Sequence, residues 1–187
     1  MFFGQLANLS VETIAWEWCT VFTSMFSHGS IFHLLGNLLF LYLYGDNVEE
    51  AMGKIWYFLF YLSCGLLAAF AQALTNPEST VPMVGASGAI SGVIASYLLL
   101  YPRARIRFFY WFMILFGTIR IPAFLVLGWW LIQQILAFPE SMKAASGVAV
   151  AAHLGGFIAG LFLTPLVKKK DIKLFQNRQT HRFARNR

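Results

Sequence analysis

The stretch GVAVAAHLGGFIAGLFLTPLV, residues 147–167, decides the fold class of this chain. It contains no Asp, Glu, Lys or Arg, and a helix of this length, at ~1.5 Å per residue, crosses the ~30 Å hydrocarbon core of a bilayer. Its Gly156 and Gly160 have the GxxxG spacing that lets two membrane helices approach closely. The segment therefore predicts a transmembrane helix with a packing face and one histidine, His153, near its outer end.

The composition of the whole chain extends this prediction. Of 187 residues, 58% are hydrophobic and 12% are charged, whereas soluble domains are about half apolar and about a quarter charged. Four more apolar helices are predicted, at residues 28–45, 55–74, 87–101 and 121–138. We therefore predict an all-α fold, a polytopic bundle of about five transmembrane spans.

Glycine, proline and charged residues predict where the helices end. Gly45 is predicted to cap the first helix, with residues 46–50 as a polar connection, and Pro139 to end the fourth span. Residues 106–119 are predicted to lie at the interface or to pack on the bundle. The domain organisation is then an outer interfacial segment (1–27), a transmembrane domain (28–167) and a basic, disordered cytoplasmic tail (168–187).

The distribution of charge orients these helices. One side of the predicted topology carries carboxylates and a single base, Lys143, and the other carries Lys54, the arginines at 103–107 and the tail bases. Because cytoplasmic loops are rich in Lys and Arg, the chain is predicted to be a multi-pass protein of the plasma or inner membrane with a cytoplasmic C-terminus. The net charge of +6 then reflects topology, and no nucleic-acid partner is expected. Cys19 and Cys64 are predicted at different depths, without a disulfide.

Polar side chains within apolar helices are candidates for function. Counting ~1.5 Å per residue from the inner helix ends places Ser87 and His153 in one layer, which also holds His33 and Asn37. Ser87 and His153 each precede a GxxxG motif, so their helices are predicted to come close enough for the imidazole to take the hydroxyl proton. No Asp or Glu lies at this depth, which predicts a dyad.

Further groups at the same depth could donate hydrogen bonds to the oxyanion of a reaction intermediate. The backbone N–H of Ser87, at a helix start, and the side chains of Asn37 and His33 are candidate donors. His28 and Ser27 are predicted at the rim of a polar cavity that admits water. Taken singly, each of these residues is also compatible with helix packing. A metal site is not expected, because residues 28 and 33 are predicted on different helix faces with no Cys or carboxylate nearby.

Several motifs carry a family resemblance. They are His28-Gly-Ser-Ile-Phe-His33-Leu-Leu-Gly-Asn37, Gly45-Asp46-Asn47-Val48-Glu49, Gly85-Ala86-Ser87-Gly88, Tyr101-Pro102-Arg103-Ala104-Arg105 and Ala152-His153-Leu154-Gly155-Gly156. In this order, over about residues 16–167, the chain resembles the bacterial type of the rhomboid intramembrane serine proteases.

The resemblance implies that Ser87 is the nucleophile and His153 the general base, with Asn37, His33 and the Ser87 N–H around the oxyanion. It implies endopeptidase cleavage of transmembrane protein substrates near the outer membrane boundary, after a small residue, without metal or cofactor. Three features depart from the family pattern. The family's first helix is absent from the predicted spans, Trp18-Cys19 replaces a Trp-Arg pair, and Ser91 replaces a tyrosine found under the base in some members.

Two other functions are compatible with parts of the sequence. A non-catalytic rhomboid-like pseudoprotease that binds membrane-protein clients would fit the missing helix, although binding alone does not require Ser87, His153 and Asn37. A transporter or channel would be expected to show internal repeats and charged residues at mid-depth, and the sequence has neither.

Overall fold

A computed structural model describes residues 19–75, 77, 83–142 and 149–176. Over these residues the chain forms five long helices and one β-hairpin: α1 (Ile31–Met52), α2 (Lys54–Thr75), α3 (Ser87–Leu100), β1 (Arg105–Phe112), β2 (Leu115–Pro122), α4 (Ala123–Ser141) and α5 (Val150–Val167). Within the described residues, α2, α4 and α5 are long and apolar enough to cross a membrane, and α3 is a shorter apolar helix. The predicted helical membrane bundle is confirmed, and the count of five spans stays a prediction.

Helix α3 forms the centre of the bundle, and nearly all its residues are buried. A Cβ atom on Gly156 would strike the carbonyl oxygen of Gly88, and one on Gly160 would strike that of Gly92. The two GxxxG motifs therefore face each other, and only glycine lets the backbones of α3 and α5 come this close.

Helix α1 differs from the prediction at both ends. It begins at Ile31, where the Ser30 side chain accepts a hydrogen bond from the His33 N–H at 3.1 Å, and it continues through Gly45 to Met52. The predicted end at Gly45 and the polar connection at 46–50 are wrong, because Val48 and its neighbours pack into the core and continue the helix. Gly45 instead makes room for a neighbouring helix, since a Cβ there would lie 2.9 Å from the Tyr57 hydroxyl.

The hairpin is the main element that the sequence analysis missed. Residues 105–112 and 115–122 pair as antiparallel strands, with Met113 in the turn at a φ of 52°. Aromatic and β-branched residues make up most of β1 and half of β2, and such side chains favour the extended backbone. Helix α4 follows directly and runs past Pro139 to Ser141, so the predicted end at Pro139 is also wrong.

The basic tail is ordered over its first nine residues, which corrects the prediction of a disordered tail for 168–176. The Lys169 N–H donates to the Ala51 carbonyl at 2.9 Å, and the Gln176 N–H donates to the Leu100 carbonyl at 2.7 Å. The tail therefore packs across the C-terminal ends of α1 and α3. Residues 177–187, also predicted to be disordered, lie outside the described residues.

The predicted outer interfacial segment is described only from residue 19 onward. Residues 19–24 are helical, and the side chains of Val21 and Met25 are buried. This part of the segment therefore packs on the bundle. The thiols of Cys19 and Cys64 are both free, the first exposed and the second buried.

Candidate active site

Ser87 is the first residue of α3, and the turn before it is tightly held. Gly85 has a φ of +114°, which L-residues rarely adopt, and its N–H donates to the Ser24 carbonyl at 2.9 Å. A Cβ on Gly85 would lie 2.7 Å from Cε1 of His33. Glycine at position 85 thus lets the turn approach α1 and sets the direction in which Ser87 enters the helix.

His153 lies in the first turn of α5 and reaches the serine. Its Nε2 is 2.9 Å from Ser87 Oγ, within hydrogen-bonding distance. The neighbouring Ala152 N–H, unpaired within its own helix, donates to Gln72 Oε1 at 3.2 Å. Gln72 on α2 therefore holds the start of α5 in place beside α3.

The other imidazole nitrogen has a partner that the sequence analysis did not single out. His153 Nδ1 is 2.8 Å from Oε1 of Gln134 on α4. The Trp130 ring, one helical turn before Gln134, lies 6.3 Å from the imidazole, centroid to centroid. Gln134 is a polar residue within the apolar stretch 121–138, and a polar side chain in an apolar helix is the sequence signal for a functional candidate.

Ser91, at the position where some rhomboids have tyrosine, takes no part in this contact. Its hydroxyl donates to the Ser87 carbonyl at 2.7 Å, within α3, and the side chain is fully buried. The aromatic ring beside the imidazole comes instead from Trp130 on α4.

The side chains of α1 that were predicted to hold an oxyanion lie against the turn before Ser87. Asn37 is 8% exposed, and its Nδ2 lies 3.5 Å from the position that a Cβ on Gly85 would occupy. This Nδ2 is buried and makes no hydrogen bond within the described part of the chain. His33 lies closer to the same turn, with Nε2 2.9 Å from that position. Asn37 and His33 therefore both present polar groups beside Gly85, in the turn that precedes Ser87.

His28 lies before α1 rather than on it. Its ring is 5.2 Å from that of His33, and its buried Nε2 makes no hydrogen bond to a described residue. The prediction that residues 28 and 33 face different sides is wrong, because the helix begins only at Ile31. Among the described residues, no group of three or more His, Cys, Asp or Glu side chains could hold a metal ion.

The structure is thus of a multi-pass membrane protein whose apolar helix bundle holds a serine hydroxyl hydrogen-bonded to an imidazole. Among known families, the Rhomboid domain model matches residues 15–170 of this chain. This chain belongs to the rhomboid family.

Known relatives agree with this assignment. The chain is 31% identical to "Rhomboid-like protein 11, chloroplastic" of Arabidopsis thaliana, over 81% of this chain and 53% of the relative. It is 31% identical to "Putative rhomboid protease YdcA" of Bacillus subtilis (strain 168), over 83% of this chain and 70% of the relative. It is 27% identical to the mitochondrial "Presenilin-associated rhomboid-like protein" of Bos taurus, over 74% of this chain and 35% of the relative. The chain thus spans about half the length of the plant relative and about a third of the bovine one.

Proposed function

We propose that the protein is an intramembrane serine endopeptidase that cleaves transmembrane segments of membrane proteins near the outer membrane boundary. The observation that carries this proposal is the 2.9 Å contact between Ser87 Oγ and His153 Nε2, made inside an apolar bundle. A nucleophile hydrogen-bonded to a base that is itself held by a third group is the arrangement that activates serine for acyl transfer.

In the first half of the reaction, Ser87 Oγ attacks the carbonyl carbon of the scissile peptide bond, and the hydroxyl proton moves to His153 Nε2. The resulting tetrahedral intermediate collapses as the same nitrogen returns the proton to the departing amine, which leaves an acyl-serine. In the second half, water attacks the ester and gives its proton to His153. The acid product then departs and Ser87 regains its proton.

The oxyanion of the intermediate would be held by the backbone N–H of Ser87 and by side chains of α1. Asn37 supports this assignment because its buried Nδ2 makes no hydrogen bond with the described residues. An unpaired buried donor costs ~1–3 kcal/mol, and a carbonyl oxygen becoming negative would satisfy it. His33, beside the same turn, would supply a second donor, and His28 would line the entrance for water.

The same proposal covers location and partners. The C-terminal ends of α1 and α3 meet the tail that begins at Lys168, so these ends share one side of the bundle, and Ser87 lies toward the other. The basic residues are concentrated at the tail side, which supports a cytoplasmic tail and a catalytic layer toward the outside of the plasma or inner membrane. Substrates would be transmembrane proteins that reach the site through the lipid bilayer.

The proposal is tested with the purified chain reconstituted in lipid vesicles with a model transmembrane substrate. Ser87→Ala and His153→Ala are expected to abolish cleavage and fluorophosphonate labelling without changing the melting temperature. Ser96→Ala is the matched control, because Ser96 is fully buried on the same helix and takes no part in the proposed chemistry. Cleavage that persists in Ser87→Ala would refute the proposal. Binding of membrane proteins with no cleavage or labelling in the unsubstituted chain would favour the pseudoprotease.

A further inference from the structure

The side-chain amide of Gln134 faces Nδ1 of His153, the ring nitrogen that does not contact Ser87. The Gln134 Oε1 atom, 2.8 Å from His153 Nδ1, is a carbonyl oxygen and can only accept a hydrogen bond. A neutral ring that hydrogen-bonds to this oxygen carries its hydrogen on Nδ1. The lone pair is then on Nε2, the nitrogen that lies 2.9 Å from Ser87 Oγ. This is the tautomer that can receive the serine proton.

The surroundings of Gln134 indicate that this contact is held in place. Gln134 is half-buried on α4, and Trp130 one turn earlier packs its ring beside the imidazole and beside Phe157 of α5. The imidazole is thus contacted by a serine on α3 and by two side chains on α4. A carboxylate in the same place would have to be desolvated, whereas a neutral amide offers an acceptor oxygen without a buried charge.

We propose that Gln134 is a positioning residue that orients His153 and selects its Nδ1–H tautomer. This inference rests on the proposed protease function and extends it from a dyad to a hydrogen-bonded triad of Ser87, His153 and Gln134. Without an acceptor on Nδ1, the ring can rotate or take the other tautomer, which places an N–H where Ser87 needs a lone pair.

The test compares three variants of the full chain in lipid vesicles. Gln134→Leu is expected to lower kcat roughly 10- to 100-fold with KM nearly unchanged, the range that follows when a buried hydrogen-bond donor loses its partner. Gln134→Glu, which keeps an acceptor oxygen but carries the desolvation cost of a carboxylate, is expected to retain more of kcat than Gln134→Leu. Gln133→Leu is the matched control, because it makes the same change at the exposed neighbouring residue of α4.

A second readout separates orientation from folding. The 15N spectrum of labelled histidine, with His153→Ala to assign the signal, is expected to show the Nδ1–H tautomer in the unsubstituted protein and a shift toward Nε2–H in Gln134→Leu. An unchanged kcat, or an unchanged tautomer, in Gln134→Leu overturns the proposal. If the unsubstituted protein neither cleaves nor labels, the protease function fails, while the tautomer measurement still tests Gln134.

A separate observation concerns the hairpin at the far end of the bundle from Ser87. In the register of β1 and β2, Arg107 lies directly opposite Arg120, and Arg105 is two residues away on the same face. Like charges opposite each other destabilise a strand pair. Within the described residues, none of these three arginines makes an ion pair or side-chain hydrogen bond, so their charge is available to an external anion.

The half of the hairpin nearest the turn is apolar, whereas the opposite end, its base, carries the arginines. Trp111 and Phe116 are paired on the same face as the arginines, and Trp111 is 75% exposed. Ile114 at the turn is 88% exposed. An exposed apolar tip next to cations matches the membrane interface, where aromatic rings lie at headgroup level and arginine binds phosphate with two parallel hydrogen bonds. A soluble phosphate or a nucleic acid would gain nothing from the apolar tip.

We infer that the hairpin, residues 105–122, is a binding site for anionic phospholipids. Arg107 and Arg120 take the headgroup phosphate, and the tip around Ile114 inserts among the acyl chains. The position of the hairpin supports a lipid ligand, because β2 leads directly into α4, a helix long and apolar enough to span the bilayer.

The test places a spin label at the tip, as Ile114→Cys in a Cys19→Ser background that removes the exposed thiol. In nanodiscs that contain phosphatidylglycerol, the label is expected to lie deeper than in phosphatidylcholine alone. The pair Arg107→Gln and Arg120→Gln is expected to abolish this difference, whereas the control Lys173→Gln, an exposed base at the same end of the bundle, retains it. Equal depth in both lipids, or a difference that survives in the double variant, overturns the inference.

Discussion

Replacing Gly156 with alanine should separate the two helices that carry Ser87 and His153. The added Cβ would lie 2.8 Å from the carbonyl carbon of Gly88 and closer still to its oxygen. Restoring an ordinary 3.4 Å contact with the carbon alone needs a movement of about 0.6 Å, and the closer oxygen requires the two backbones to move apart by more than this. Gly88 directly follows Ser87, and Gly156 is one turn beyond His153, so this displacement acts directly on the 2.9 Å contact between them.

The expected magnitudes follow from this geometry. Overpacking of a tight interface costs ~1–3 kcal/mol, so the melting temperature of Gly156→Ala should fall. A displacement of about 1 Å at reacting groups can lower a rate ~100-fold, so the separation forced here should reduce fluorophosphonate labelling of Ser87 by at least about tenfold.

Gly128→Ala provides the control, because a Cβ at position 128 of α4 would meet no atom within 4 Å. It makes the same substitution in a membrane helix and should leave the labelling rate unchanged. Melting temperature is read by thermal unfolding in detergent micelles, and labelling by in-gel fluorescence over time. A Gly156→Ala protein that melts and labels like the unsubstituted chain would refute the close-contact reasoning.

Three further outcomes are expected. Gly85→Ala places a side chain at a residue with a φ of +114° and against the His33 ring, a strain of ~1–3 kcal/mol. The rate of Ser87 labelling and the melting temperature should therefore both fall. An unchanged labelling rate would count against the assigned turn. Asn37→Ala removes a buried, unpaired amide, so the melting temperature should hold or rise while kcat in the cleavage assay falls roughly 100- to 1000-fold; a retained kcat would remove Asn37 from the oxyanion site. Truncation after Val167 deletes the tail's backbone hydrogen bonds to α1 and α3, each worth ~1 kcal/mol. The truncated protein should therefore have a lower melting temperature but retain labelling of Ser87. An unchanged melting temperature would show that the docked tail adds no stability.

Two of the failed sequence predictions share a physical origin. Gly45 is a local signal for a helix end, and the packing of residues around it against other parts of the chain overrides that signal. Gly45 lies against the Tyr57 hydroxyl, so its lack of a side chain serves packing between helices rather than termination. The docked start of the tail shows the same effect, because its hydrogen-bond partners are carbonyl groups about 75 to 120 residues earlier in the chain.

The sequence alone determined that this chain is a membrane helix bundle and which polar residues share a layer, because apolar length and residue counting along a helix are local properties. Its GxxxG spacing also indicated which helices come close. Only the tertiary structure decided how the imidazole is oriented. Gln134 and Trp130 reach His153 from α4, a helix with no motif of its own. Such contacts depend on how α4 is rotated against α5, and that rotation is set by packing over the whole bundle, which no local pattern encodes.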